Sequence, residues 1–124
     1  MIKPLMATLG YTVLTFAVAV GWHIVAFHEL YFSWRYFGEH PEYLLGFLSI
    51  LIQGGILSFV YHWLNVSKWR YVLVVGIFHW TIHVLAFMAK EEAARTFGFL
   101  ALESVYLAIQ FGLYGLVLRV VWRR

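Results

Sequence analysis

The stretch Tyr71–Ala89, YVLVVGIFHWTIHVLAFMA, decides the fold. It contains no Lys, Arg or carboxylate over a length that, at about 1.5 Å rise per helical residue, nearly crosses the roughly 30 Å of hydrocarbon in a bilayer. Three further stretches are as long and nearly as apolar, with Glu29 and Glu103 their only charged residues: Leu5–Leu30, Tyr43–Leu64 and Phe97–Leu118. They are joined by WRYFGEHPE, NVSKWR and KEEAART, which are short, polar and suited to linking neighbouring helices that run in opposite directions. The pattern predicts an all-α polytopic membrane protein, an antiparallel four-transmembrane-helix bundle forming one domain over residues 1–124.

Composition agrees. Hydrophobic residues make up 63% of the chain and charged residues 12%, about half the charge of an ordinary soluble domain. Cysteine and aspartate are absent. That removes disulfides, thiolate metal sites, thiol nucleophiles and Asp-based catalysis. No phosphate-binding Gly-rich loop, GxSxG or HExxH is present. Lys3 before an apolar run resembles the start of a secretory signal, but the run exceeds the usual 7 to 15 residues, so a retained helix is expected.

The formal charge of +3 reads as topology and not as nucleic-acid binding. Lys3, Lys68, Arg70, Arg119, Arg123 and Arg124 fall on one side of the expected bundle, against Arg35, Lys90 and Arg95 on the other. Both termini are therefore expected in the cytoplasm, with the chain in the plasma membrane. Five of the six carboxylates, Glu29, Glu39, Glu42, Glu91 and Glu92, lie toward the outer side. Tyr31, Trp34, Tyr36 and Tyr43 are expected in an outer aromatic belt, and Tyr61, Trp63, Trp69, Tyr71 and Trp122 in an inner one.

Polar side chains in hydrocarbon are costly unless they face another helix or a wet cavity, so they mark the inward face. Thr8, Thr12, Thr15, Ala19 and His23 recur at helical spacing on the first span, and Gly46, Ser49 and Gln53 on the second. The third span contributes Gly76, His79, His83, Ala86 and Lys90; the fourth contributes Glu103, Tyr106 and Gln110. From the rise per residue, His23, His83 and Glu103 are expected in one layer on the order of 5 to 8 Å outside the bilayer centre. Gln53, His79 and Gln110 are expected in a second layer nearer the centre. Lys90 is expected to snorkel at the outer end or to reach Glu103.

Three readings fit this set. The plainest is a hydrogen-bond network that fixes the packing of the bundle in a non-enzymatic protein that binds a ligand or stabilises a membrane-protein partner. A second is haem b or metal ligation, with His23 and His83 as axial ligands, or His79, His83 and Glu103 around one ion. A third is a proton or quinone site using the same His and Glu residues. The outer region around His28, Arg35 and His40 reads as a solvated loop, with Pro41 introducing the second span, and His62 reads as interfacial. The bilayer is the one expected partner common to all three, and a homo-oligomer fits each.

WHIVAF followed by LY, GFLSILIQGG, the AK ending the third span and LESVYLAIQFGLYG in the fourth together resemble a family of small uncharacterised four-helix bacterial inner-membrane proteins. The resemblance implies a bacterial plasma membrane and an unassigned activity, and it supplies no catalytic residue. Trp22, His23, Gln53, Gly54, Lys90, Glu103 and Gln110 are the positions within the resembling segments.

Overall fold

The computed structural model describes residues 1–123, and every regular element among them is helical. Arg124, one of the basic residues used to orient the chain, lies outside the described residues. α1 (Ile2–Ala19) continues through a π-helical stretch, Val20–Ala26, and is followed by the short α2 (His28–Ser33). α3 covers Tyr43–Trp63. α4 (Lys68–Trp80) passes through a second π stretch, Thr81–Leu85, into α5 (Ala86–Lys90), and after a single 3₁₀ turn at Glu92–Ala94 comes α6 (Phe97–Val121). Four of these runs, Ile2–Ala26, Tyr43–Trp63, Lys68–Lys90 and Phe97–Val121, are long and apolar enough to cross a membrane.

Local chemistry sets the limits. Ser67 Oγ accepts the Arg70 amide hydrogen and Thr96 Oγ1 accepts that of Phe99, each satisfying an amide that the first helical turn leaves open. The Ser67 cap starts the third long helix three residues before the expected Tyr71. The second long helix ends at Trp63, one residue short of its expected limit, and the fourth runs past Leu118 to Val121.

The first span departs most from expectation. It is not one helix to Leu30: at Phe27 the backbone leaves helical geometry (φ −125°, ψ 33°), and the chain turns into α2. The bend brings Tyr31 back over Trp22, whose indole Nε1 donates to Tyr31 Oη at 2.9 Å. α2 then ends in a Schellman turn. The Arg35 amide donates to Phe32 O and the Tyr36 amide to Tyr31 O, both at 3.0 Å, with Arg35 in the left-handed region at φ 55°. Glycine is the usual residue there, since a Cβ costs roughly 1–2 kcal/mol in that conformation. Arg35→Gly is accordingly expected to raise the thermal midpoint in detergent by a few degrees, and Arg35→Val to lower it.

α6 is the hub. Glu103, Gln110 and Tyr114 contact α1 through His23 and Tyr11, while Phe111 and Gly115 meet Gly76 and Trp69 of α4. α1 also packs along α3, so the close pairs are α3 with α1, α1 with α6, and α6 with α4. α3 and α4, although consecutive, touch mainly near their junction, where Tyr71 Oη donates to Leu57 O at 2.6 Å. Away from that end they part, leaving a cleft with α1 and α6 as its floor.

The expected aromatic belts are largely interior. Tyr31, Trp34, Tyr61, Tyr71 and Trp122 are buried, and Tyr36 is half-buried; only Tyr43, Trp63 and Trp69 of the expected set are exposed. At one end α2 and its closing turn fold inward, so that Tyr31 meets Trp34 and Phe99 edge-on. At the other, Tyr61 packs against Tyr71 and Trp122.

Candidate functional site

His23 and Glu103 meet in the interior, His23 Nε2 lying 2.9 Å from Glu103 Oε1, with Glu103 fully buried. His23 Nδ1 faces the carbonyl of Ala19 at 2.9 Å, and a carbonyl only accepts, so Nδ1 carries a hydrogen. Glu103 Oε1 also receives the Tyr31 hydroxyl at 3.1 Å. The donors therefore run in one direction, Trp22 to Tyr31 to Glu103. One proton lies between His23 Nε2 and Oε1, giving either an imidazolium–carboxylate pair or two neutral groups. Glu103 Oε2 is buried without a hydrogen-bond partner.

Two rings close this pair in. Tyr36 stacks on His23 with centroids 4.6 Å apart and planes 6° from parallel, placed there by the Schellman turn, and Tyr31 meets the imidazole edge-on. Burial, reinforced by Glu103, holds the hydroxyls of Tyr31 and Tyr36 above the ordinary phenol range, so both remain O–H donors.

A second polar chain lies deeper. Gln110 Nε2 donates to Tyr11 Oη at 2.8 Å, Tyr11 Oη donates to Gln53 Oε1 at 3.3 Å, and Gln53 Nε2 donates to Ser49 Oγ at 2.9 Å. It ties α6 to α1 and α1 to α3. The expected layers are thus partly regrouped: Gln53 and Gln110 are joined through Tyr11, while His79 is not in that chain.

His79 instead stacks on His83, with ring centroids 3.9 Å apart and planes 8° from parallel. Neither imidazole has a hydrogen-bond partner among the described residues. Both line the cleft, together with His23, Tyr36, Gln53, Tyr106 and Gln110 and with apolar walls from Phe16, Val20, Ile24 and Ile50. Its volume is about 410 Å³. Both π stretches border it: Val20–Ala26 carries His23 and Thr81–Leu85 carries His83. Such stretches rotate the side chains that follow and recur at functional positions.

Several expectations need correcting. Of the two places expected for Lys90 it takes the outer one, exposed at the end of α5, while the hydrogen bonds of Glu103 go to His23 and Tyr31. Ala86 is likewise exposed, because the π stretch shifts the register of the third span after His83. Among the described residues, no three His or Glu side chains come together as metal ligands, so His79, His83 and Glu103 do not surround one ion. Parallel stacked imidazoles direct their lone pairs side by side and not toward a common point. His23 has both ring nitrogens engaged, so it offers none to a haem iron shared with His83.

Tyr11, Tyr31 and Tyr36 are site residues that the sequence reading did not include. Tyr11 lies four residues before Thr15 and so shares its helical face, a signal that was available in the sequence. Tyr31 and Tyr36 follow a helix break that periodicity does not report. No family model matches the chain, and searches of curated proteins and of solved structures likewise found no match.

Proposed function

We propose that the chain is an integral membrane protein of four antiparallel spans, in the plasma membrane with both termini cytoplasmic, that binds an uncharged lipid-soluble ligand in the cleft between α3 and α4. The antiparallel arrangement is supported by residue pairs that step in opposite senses along α1 and α6, Gly10 against Val117, Tyr11 against Tyr114 and His23 against Glu103. Lys3, Lys68, Arg70, Arg119 and Arg123 support the orientation.

One observation carries the ligand reading. The stacked imidazoles of His79 and His83 stand half-buried in a largely apolar cleft with their polar atoms unclaimed by the protein. Intramembrane groups of this kind are costly to keep unless they meet a partner. The lining contains neither Lys nor Arg, and its one carboxylate, Glu42, is exposed at the mouth. That chemistry favours a neutral flat head group with oxygen acceptors, its apolar remainder lying along Phe16, Val20 and Ile24. The test is mass spectrometry of lipids retained by protein purified in mild detergent. A neutral lipid held by the native chain is expected to fall about tenfold or more in the His79→Leu/His83→Leu variant, two hydrogen bonds at about 1 kcal/mol each. Equal retention by both proteins would remove the reading.

A second reading, a quinone-binding or proton-handling protein, is favoured by the buried His23–Glu103 hydrogen bond, a pair able to share a proton. The same lipid analysis separates the two: a co-purifying quinone whose retention is lost with His23 and Glu103, and not with His79 and His83, would favour this second reading over the first.

A further inference from the structure

At the end of the molecule away from the cleft, a separate cavity of about 600 Å³ lies where the 64–67 connection meets the start of α4 and the end of α6. Its lining brings together Lys68, Arg119 and Arg123 with Ser67, Val66 and Trp69. Lys68 opens α4, whereas Arg119 lies in the last turn of α6 and Arg123 just past its end, so folding brings Lys68 to a basic pair about fifty residues away in sequence. None has a carboxylate partner among the described side chains, where the only ion pairs are His23–Glu103, His28–Glu29 and Arg35–Glu91. Lys68 is moreover half-buried, its stem held against the cavity wall.

Its walls are those of a boundary between polar and apolar surroundings. Trp69 lies against the backbone of Gly115, a contact that only glycine at 115 leaves room for, and still exposes half its surface. Trp63 and Leu64, at the end of α3, are also exposed. A ligand seated among the three cations would therefore have apolar surface immediately beside its charged group.

We infer that this cavity binds a phosphate-bearing anion, the head group of an anionic phospholipid, through Lys68, Arg119 and Arg123. The inference uses the membrane placement proposed above but not the cleft, so either can fail without the other. Basic pockets between spans on the cytoplasmic side suit such head groups, with about 1 kcal/mol from each cation near the surface, or about fivefold in affinity.

The test is native mass spectrometry and thermal unfolding of the full chain in mild detergent with phosphatidylglycerol, phosphatidylcholine or inorganic phosphate added. Phosphatidylglycerol is expected to remain bound and to raise the unfolding midpoint, with retention falling about fivefold in each of Lys68→Gln, Arg119→Gln and Arg123→Gln. Lys3→Gln and Arg70→Gln, which alter cations outside the cavity, are expected to retain the lipid as the native chain does. The single variants keep the comparison open should a triple one fail to fold. Inorganic phosphate reproducing the stabilisation in full would overturn the lipid assignment in favour of a free anion. Equal retention of phosphatidylcholine, or equal loss in the control variants, would overturn the site.

Discussion

His23→Leu is expected to lower the stability of the detergent-solubilised protein by roughly 1–3 kcal/mol, the cost of leaving a buried polar group without its nearest partner, and by more where that group is ionised. The substitution leaves Glu103, fully buried, with tyrosine hydroxyls as its remaining partners, Tyr31 on Oε1 and Tyr36 beside it. Glu103→Leu is expected to cost less, because the groups it strands are Tyr31 and one imidazole nitrogen. The double variant should be more stable than the sum of the single losses predicts, since no buried charge remains to be compensated. Additive losses in a denaturant titration would mean that the two groups are not coupled.

Glu103→Gln sharpens the same test. His23 Nε2 and the Tyr31 hydroxyl converge on a single oxygen, Oε1. A carboxyl oxygen can accept from Tyr31 while sharing a proton with His23, whereas an amide oxygen cannot donate and an amide nitrogen does not accept. Beside a neutral imidazole that carries its hydrogen on Nδ1, the isosteric amide therefore serves only one partner as they stand. An intermediate loss, about 1–3 kcal/mol for one unmet buried group, is expected. A neutral result would place the pair's value in shape and not in the shared proton.

The part of this architecture that was legible in the sequence is the part governed by long-range averages. Apolar length located four long helices to within a few residues at most ends, and the three-and-four spacing of Thr8, Thr12, Thr15 and His23 marked a face that is buried. What escaped were local departures from the helical period. Two π stretches and the break at Phe27 change the direction of the side chains after them. Depth counted along an ideal helix therefore put His79 level with Gln53 and Gln110 without showing that it stacks on His83 outside their hydrogen-bond chain, and the three-and-four spacing carried Ala86 inward when it is exposed. Tyrosines expected at an interface by type turned inward because a fully buried carboxylate needs O–H donors and Tyr31 is within reach. The preference of a residue type for an interface yields to a hydrogen bond worth more in a dry interior.

Gly54 and Gly55 place the same residue type side by side with opposite expected consequences. A Cβ on Gly54 would lie 2.7 Å from Tyr11 Cδ1 and 3.4 Å from Thr12 Oγ1, whereas one on Gly55 meets nothing within 4 Å. Gly54→Leu must therefore move Tyr11, the residue through which Gln110 and Gln53 are joined. Overpacking at about 1–3 kcal/mol and two weakened hydrogen bonds at about 1 kcal/mol each set the expected loss at roughly 3–5 kcal/mol. Gly55→Leu adds the same gain in helix propensity without the clash, so the difference between the two variants isolates the α1–α3 contact. The measurement is the unfolding midpoint of each in detergent. Gly55→Leu is expected at or slightly above the native value, and Gly54→Leu well below it. Similar midpoints would mean that α3 does not cross α1 at Gly54, and the polar chain from Ser49 to Gln110 would lose its central link.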